Sequence, residues 1–329
     1  MNFSSWLNAW KRNGASRNKH ARRREAERLE TRQMLSVSAL FIPTNGELFI
    51  QSDGSDSIRV SSATGTLLVE SAPAGGAFTP LTSLGPVPAS SVVSIVVIGG
   101  DDNNSIDLNG VTAAAFTSLT SISVDGANGN DTLIGSPDFA DSLIGGHGAD
   151  TIQGQGGNDT LVGGDGNDSI VAADGDDSIR AGDGQDAVDG GLGNDTIDSG
   201  DGDDTVTAGA GDDSVFAGNG QDSVNGDAGN DTLNGDGGAD TVSVDAGNDS
   251  ILGGEFADSL LGGDGDDTIN GQAGKDSVDG QTGNDSLLGG VGNDQVDGGS
   301  GNDTLNGNLG NDTMTGGDND DLVQGGGGD

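Results

Sequence analysis

The chain has 329 residues, of which 63 are glycine, none is cysteine and only 31% are hydrophobic, and its formal net charge is −42. So few apolar residues cannot fill the core of a conventional globular protein of this length. Nine of the 12 basic residues lie within residues 1–40, whereas residues 41–329 carry 51 acidic and 3 basic residues. Such an acidic surface repels nucleic acid and anionic membranes, and it needs cations to become compact.

Residues 1–38 form a basic segment that differs in composition from the rest of the chain. The apolar run Met34–Ile42 is too short for a transmembrane helix and too interrupted by serine for a conventional signal peptide. The stretch Leu29–Ser36 (LETRQMLS) resembles the LEPR-type N-terminal motif of exported bacterial proteins, with Thr31 in place of proline and Met34 in place of leucine. The resemblance implies export by a route left open here; a solvated basic helix is the alternative.

Residues 39–125 are predicted to form a β-rich cap rather than a separate catalytic domain. Short runs rich in β-branched and apolar residues alternate with turns rich in Gly, Pro and Ser. The predicted strands are Glu47–Gln51, Ser57–Val60, Thr66–Glu70 and Ser91–Ile98, with a proline-rich loop over Ala72–Ser90.

Degenerate copies of a short acidic repeat already occur in this cap. Asp53–Ile58 and Gly100–Ile106 each keep an acidic turn followed by Ser-Ile. Gly126–Leu133 is a good copy whose Asp131 stands ten residues before Asp141. We expect these copies to cover the open edge of the regular array that follows.

Residues 126–329 contain one nine-residue unit repeated in tandem. The type copy is Gly163–Val171 (GGDGNDSIV), which we number as positions 1–9, so that Asp168 is at position 6 and Ile170 at position 8. Steps of nine from Asp141 to Asp321 find aspartate at all 21 positions, and position 8 is apolar in every copy. Position 4 is Gly in 18 of the 21 copies. Glycine permits positive φ, so positions 1–5 predict a tight turn, and positions 7–9 predict a short strand with one inward side chain.

This unit, Gly-Gly-x-Gly-x-Asp-x-apolar-x, resembles the RTX, or haemolysin-type, calcium-binding repeat. The resemblance covers somewhat over half of the chain. It implies an all-β fold, a right-handed parallel β-roll in which two units form one coil of 18 residues. In such a β-solenoid, stacked coils lie about 4.8 Å apart.

Stacking places the position-6 aspartates of successive coils above one another. Carboxylates about 5 Å apart repel by roughly 0.8 kcal/mol per pair even in water, so a cation between them is needed to close the roll. Carboxylates and backbone carbonyls are the ligands of Ca²⁺, whereas Mg²⁺ prefers tight octahedral sites. The family resemblance implies that each calcium ion is shared between turns of successive coils. The expected ligands are Asp150, Asp159, Asp168, Asp177, Asp186, Asp195, Asp204, Asp213, Asp222, Asp231, Asp240, Asp267, Asp276, Asp285, Asp294, Asp303 and Asp312.

Three copies depart from the pattern, and we expect them to lack normal calcium geometry. Phe139 and Phe256 replace the position-4 glycine, and phenylalanine adopts a positive φ only at a cost. These two turns are expected to hold an apolar plug or to bend the solenoid. The copy that contains Val244 lacks the leading glycine pair. His147 is expected to be an exposed turn residue.

The sequence favours a secreted or cell-surface module that binds several calcium ions and folds as it binds them. An enzyme is not expected, because the chain has two histidines and neither a His-Glu-x-x-His motif nor a nucleophile elbow in strand–helix context. The alternatives are an adhesin or an ice-binding solenoid that contacts surface or matrix components, or the repeat part of a larger secreted enzyme. Ser or Thr follows the aspartate in 18 copies, which predicts outward rows of hydroxyls, although β-propensity alone explains them.

Overall fold

The computed structural model describes residues 37–73, 76–81 and 84–327, and the proposed export motif lies outside them. Within these residues the only helical element is a 3₁₀ turn, η1 (Ala89–Ser91). No helix of this part of the chain is long and apolar enough to cross a membrane. The expected all-β fold is confirmed.

The strands form two sheets of 15 strands each. Sheet 1 contains, in spatial order, β1 (Val37–Ile42), β2 (Glu47–Ser52), β6 (Ser94–Ile98), β8 (Ser121–Asn128), β10 (Asp141–His147), β12 (Thr160–Asp165), β14 (Ser178–Asp183), β16 (Thr196–Asp201), β18 (Ser214–Phe216), β20 (Thr232–Gly237), β22 (Ser250–Glu255), β24 (Thr268–Gly274), β26 (Ser286–Gly292), β28 (Thr304–Leu309) and β30 (Leu322–Gln324). Sheet 2 contains, from its other end, β5 (Thr79–Pro80), β4 (Thr66–Pro73), β3 (Asp56–Ala63), β7 (Ser105–Gly110), β9 (Thr132–Ile134), β11 (Thr151–Gly156), β13 (Ser169–Asp174), β15 (Ala187–Leu192), β17 (Thr205–Ala210), β19 (Ser223–Ala228), β21 (Thr241–Ser243), β23 (Ser259–Leu261), β25 (Ser277–Asp279), β27 (Gln295–Asp297) and β29 (Thr313–Thr315).

Successive strands alternate between the two sheets, so from β6 onward each strand pairs in parallel with the strand two further along the chain. Leu161 pairs with Ile179 in sheet 1, and Ile170 pairs with Val188 in sheet 2. Each pair is 18 residues apart, so two repeats complete one coil. The expected β-solenoid of 18-residue coils is confirmed.

The core is a single row of position-8 side chains from each sheet. Leu143, Ile152 and Leu161 are fully buried, and the row continues without a break to Leu305. Because one apolar side chain per nine residues supplies this core, the two sheets must approach closely. The residues at position 1 also face inward and are buried, and because most of them are glycine or alanine they leave room for this approach.

Many strands are longer than the sequence indicated. We expected three residues with one inward side chain, but β12 covers six residues and continues through the glycine pair to Asp165. Its burial alternates so that Leu161 and Gly163 both face inward. Main-chain pairing between equivalent coils therefore extends the strand into a stretch whose composition indicates a turn.

The N-terminal strands join the same two sheets. The four strands expected in residues 39–125 are present as β2, β3, β4 and β6, with shifted ends. β1 and β2 form an antiparallel hairpin, and so do β3 and β4. The apolar core is larger at this end of the solenoid, where Phe116, Leu48 and Leu108 are fully buried.

Position 7 forms a row of hydroxyls on the outside of sheet 1. It is Ser or Thr in every coil from Ser142 to Thr304, and each of these side chains is exposed or half-buried. The expected outward row is present, and β-propensity on a solvated strand is sufficient to explain it.

We predict that Leu161→Ala lowers the free energy of unfolding of the calcium-loaded protein by about 3 kcal/mol, because it leaves a cavity between the sheets. Thr160→Ala is the matched control at the exposed neighbouring position, and its expected cost is below about 1 kcal/mol. Denaturant titration followed by circular dichroism measures both. Equal effects would contradict the assignment of position 8 as the core.

Candidate metal centre

Two ladders of aspartates run along the solenoid, one on each edge. Edge 1 consists of the turns that lead from sheet 1 to sheet 2, such as Gly163–Asp168, and edge 2 of the turns that lead back, such as Ala172–Asp177. Every position-6 aspartate from Asp141 to Asp303 is at least 97% buried. All 17 expected ligands lie on these ladders, at their position-6 sites.

From Asp150 onward, one carboxylate oxygen of each ladder aspartate accepts a hydrogen bond from the backbone of the preceding coil. The N–H of Asp150 donates to Oδ1 of Asp168 at 2.7 Å, and the N–H of Asp168 donates to Oδ1 of Asp186 at 2.8 Å. The same bond recurs on edge 2, where Asp159 donates to Asp177 at 2.6 Å. These bonds fix the side-chain direction, so each carboxylate points along the axis.

The second carboxylate oxygen has no hydrogen-bond partner. Burying an ionised oxygen without a partner is costly, so a row of such atoms requires another source of positive charge. The buried, unpaired Oδ2 atoms belong to Asp131, Asp150, Asp159, Asp168, Asp177, Asp186, Asp195, Asp204, Asp213, Asp222, Asp231, Asp240, Asp249, Asp258, Asp267, Asp276, Asp285, Asp294, Asp303 and Asp312.

A small cradle beside most of these Oδ2 atoms is left open by glycine at position 1. A Cβ added to Gly262 would lie 2.7 Å from Oδ2 of Asp267 and 2.8 Å from the carbonyl oxygen of Gly280, one coil further on. A Cβ added to Gly253 would meet Asp258 and the next coil's carbonyl at the same two distances. A carboxylate oxygen and a carbonyl oxygen therefore converge in the cradle.

The electrostatics of the ladders favour a cation. Burial raises the pKa of Asp159 to about 8, of Asp168 to about 7 and of Asp195 to about 6, while backbone hydrogen bonds lower these values. The carboxylates of neighbouring coils raise them further, as Asp141 and Asp177 do for Asp159. A cation bound beside these carboxylates would stabilise their ionised form, and so would lower the pKa values that burial and neighbouring charges raise.

This donor set fits calcium. The unpaired oxygens and the converging carbonyls are the hard oxygen ligands that Ca²⁺ takes in flexible geometry. Among the described residues no three His, Cys, Asp or Glu side chains converge to hold a metal, and the converging backbone carbonyls are the further oxygen ligands that the turns offer.

One of the departing copies does not behave as we expected. Phe256 adopts a φ of +83°, keeps the backbone bond of its N–H to the carbonyl of Ala273, and is 64% exposed. Asp258 in the same turn retains its unpaired Oδ2. The prediction that Phe256 forms an apolar plug is therefore wrong, and its turn keeps the coil-to-coil backbone bond in spite of the positive φ.

The turn that contains Phe139 does depart from the pattern. The backbone N–H and the hydroxyl of Ser136 donate to the carboxylate of Asp141, so this aspartate has no unpaired oxygen. Phe139 packs against the core. His147 is exposed as expected, and it pairs with Asp165 at 2.7 Å.

Sequence reasoning missed the start of the edge 1 ladder. Asp131 has an unpaired Oδ2, and its Oδ1 accepts the N–H of Asn104 at 2.6 Å. Asn104 in turn accepts the N–H of Asp56. The good repeat copy around Asp131 was the available signal, but its ten-residue offset from Asp141 concealed it.

The comparison with known families agrees with this geometry. A model of the RTX calcium-binding nonapeptide repeat matches nine overlapping segments that together span residues 125–329. The chain therefore belongs to this family, its repeats form a calcium-binding module, and their number implies several ions. No curated protein matches the chain.

We predict that acidification from about pH 8 to about pH 5 increases the β-structure of the calcium-free protein. The folded-state pKa values of about 6 to 8 lie above the ordinary value of 3.8, so the folded state binds the extra protons. This stabilisation is present at low pH and is lost as the pH rises through 6 to 8. Circular dichroism in chelator measures it, and a signal independent of pH over this range would contradict the prediction.

Proposed function

We propose that this chain is a secreted or cell-surface structural module that folds as calcium fills its two aspartate ladders. The observation that supports this most directly is the row of buried Oδ2 atoms without partners. We propose as ligands the 17 aspartates expected from the sequence, and Asp131, Asp249 and Asp258 in addition.

Folding and calcium binding are proposed to be one process. The core offers one apolar side chain per repeat, and the ladders oppose closure when they are ionised. The chain of residues 41–329 has low hydrophobicity and high negative charge, which is the composition of chains that stay disordered without a ligand. Calcium supplies the positive charge between coils, so its binding free energy becomes folding free energy.

An extracellular location agrees with this coupling. Extracellular calcium modules bind with Kd values of about 10⁻⁴–10⁻³ M. A chain with such sites would stay unfolded where calcium is scarce and would fold after export. The LEPR-like stretch Leu29–Ser36 supports export, and its route is left open.

We propose a structural rather than an enzymatic role for the solenoid. His147 lies on an exposed turn, where its partner is Asp165. Position 7 presents hydroxyls and the turns present carboxylates, which are features of a solvated surface. Attachment to a cell surface or matrix is the second candidate, and the hydroxyl row of sheet 1 is the feature that favours it.

We predict that calcium converts the calcium-free protein from coil to β-structure near neutral pH. Far-UV circular dichroism of the full chain during a calcium titration measures the transition, and the same titration with magnesium is the control. Magnesium should fail, because it demands octahedral geometry and retains its water. A β-spectrum that chelator does not change would refute the coupling of folding to calcium.

We predict that Asp267→Asn reduces the calcium bound at saturation by about one ion per chain, because it removes a charged ligand. Asp266→Asn is a closely matched control, since Asp266 is adjacent, exposed and hydrogen-bonded to Asn284. Equilibrium dialysis counts the ions. If both variants lose the same number of ions, the effect is one of net charge and position 6 is not the ligand.

A further inference from the structure

The position-1 cradle is not open in every turn. Glycine occupies position 1 beside most of the aspartates with an unpaired Oδ2, but six of these turns carry a larger residue there. These residues are Ala172, Ala181, Ser199, Ala208, Ala217 and Val244. All six are buried, with exposures of 3% or less.

A Cβ at position 1 competes with the two oxygens that converge there. At Gly262 the added Cβ would lie within 3.0 Å of both a carboxylate and a carbonyl oxygen, closer than real Cβ atoms come. In a turn that carries alanine, at least one of these oxygens must therefore move away. Gly262 does not have a positive φ, so the difference between glycine and alanine at this position is one of space.

Two of the six residues show what replaces the open space. The hydroxyl of Ser199 donates to the carbonyl oxygen of Ala217 at 2.8 Å, so this carbonyl already has a partner. Val244 reaches into the turn of the preceding coil, where its Cγ1 lies 2.7 Å from the Cβ position of Gly226. Oδ2 of Asp231 is 2.6 Å from the same position, so a methyl group takes the place where a carbonyl stands in other turns.

The filled turns are concentrated in the middle of the array. Of the six turns from Asp177 to Asp222, only the one that ends at Asp195 has glycine at position 1. Every turn from Asp258 to Asp321 has glycine there, and so do the turns from Asp150 to Asp168.

We propose that the solenoid contains two classes of calcium turn, open turns in its two outer parts and filled turns that predominate in its centre, at five of the six turns from Asp177 to Asp222 and at Val244. The filled turns bind calcium more weakly, so the outer parts order at a lower calcium concentration than the centre. This inference rests on the proposed function and specifies where in the chain it operates. Loss of well-placed support around a metal typically costs about 10- to 100-fold in affinity, which sets the expected separation.

Hydrogen exchange of the full chain at graded calcium concentrations tests the proposal. Peptides from residues 262–312 should reach half-protection at about tenfold lower calcium than peptides from residues 172–222. Half-protection at one concentration throughout would overturn the two classes and leave calcium binding intact. Absence of any calcium-dependent protection would instead refute the proposed function.

Matched variants test the cause. Val244→Ala removes the methyl that enters the turn of Asp231, and it should lower the calcium concentration for half-protection of residues 226–240 by about tenfold. Val242→Ala removes the same two methyls from the buried row, and no atom of Val242 is among those nearest to the Cβ positions of Gly226 and Gly235, so it should raise that concentration or leave it unchanged. A decrease of the same size in both variants would overturn the proposal.

The reciprocal change uses an open turn. Gly262→Ala adds a Cβ beside Asp267 and should raise the calcium concentration for half-protection of residues 262–276 by about tenfold. An unchanged value in a variant with normal β-structure at saturating calcium would contradict the steric argument.

Discussion

The burial of ionised aspartates without enough hydrogen-bond donors is the constraint on which this structure depends. From Asp150 to Asp312, each ladder carboxylate accepts a backbone N–H of the preceding coil with one oxygen, and the other oxygen has no hydrogen-bond partner. Backbone bonds alone therefore bring the coils into register without balancing the charge. In the function that we propose, calcium bound between successive turns balances this charge and links neighbouring coils.

Glycine and aspartate act together in this arrangement. Gly182 has a φ of +121°, and a Cβ there would overlap the carbonyl of Gly164 in the preceding coil. The turn glycines thus let the backbones stack closely, and that closeness aligns the carboxylates on each edge. The thin apolar core fixes which face of each strand turns inward.

The phase of the repeat was sufficient to predict the inward row and the position-6 row that carries the 17 expected ligands, and the family resemblance supplied the coil length of 18 residues. The phase of the nine-residue repeat shows which residues are equivalent in successive repeats, and the stacking of these equivalent residues determines the fold. The repeat phase does not show how hydrogen bonds between coils offset the free-energy cost of a positive φ. The positive φ of Phe256 was therefore not predicted. The repeat phase also fails where the spacing changes, which is why Asp131 and its partner Asn104 were missed.

The 18-residue register has a mechanical consequence. Hydrogen bonds between coils, such as that from the N–H of Ser169 to the carbonyl of Asp150 at 2.8 Å, run along the solenoid axis. Tension applied along this axis is therefore carried by the bonds between every pair of neighbouring coils, and the end coil can detach by itself because each coil contacts only its neighbours. Each coil that peels away exchanges about 5 Å of stacked length for about 60 Å of extended chain, so a tethered solenoid lengthens in many equal steps under load.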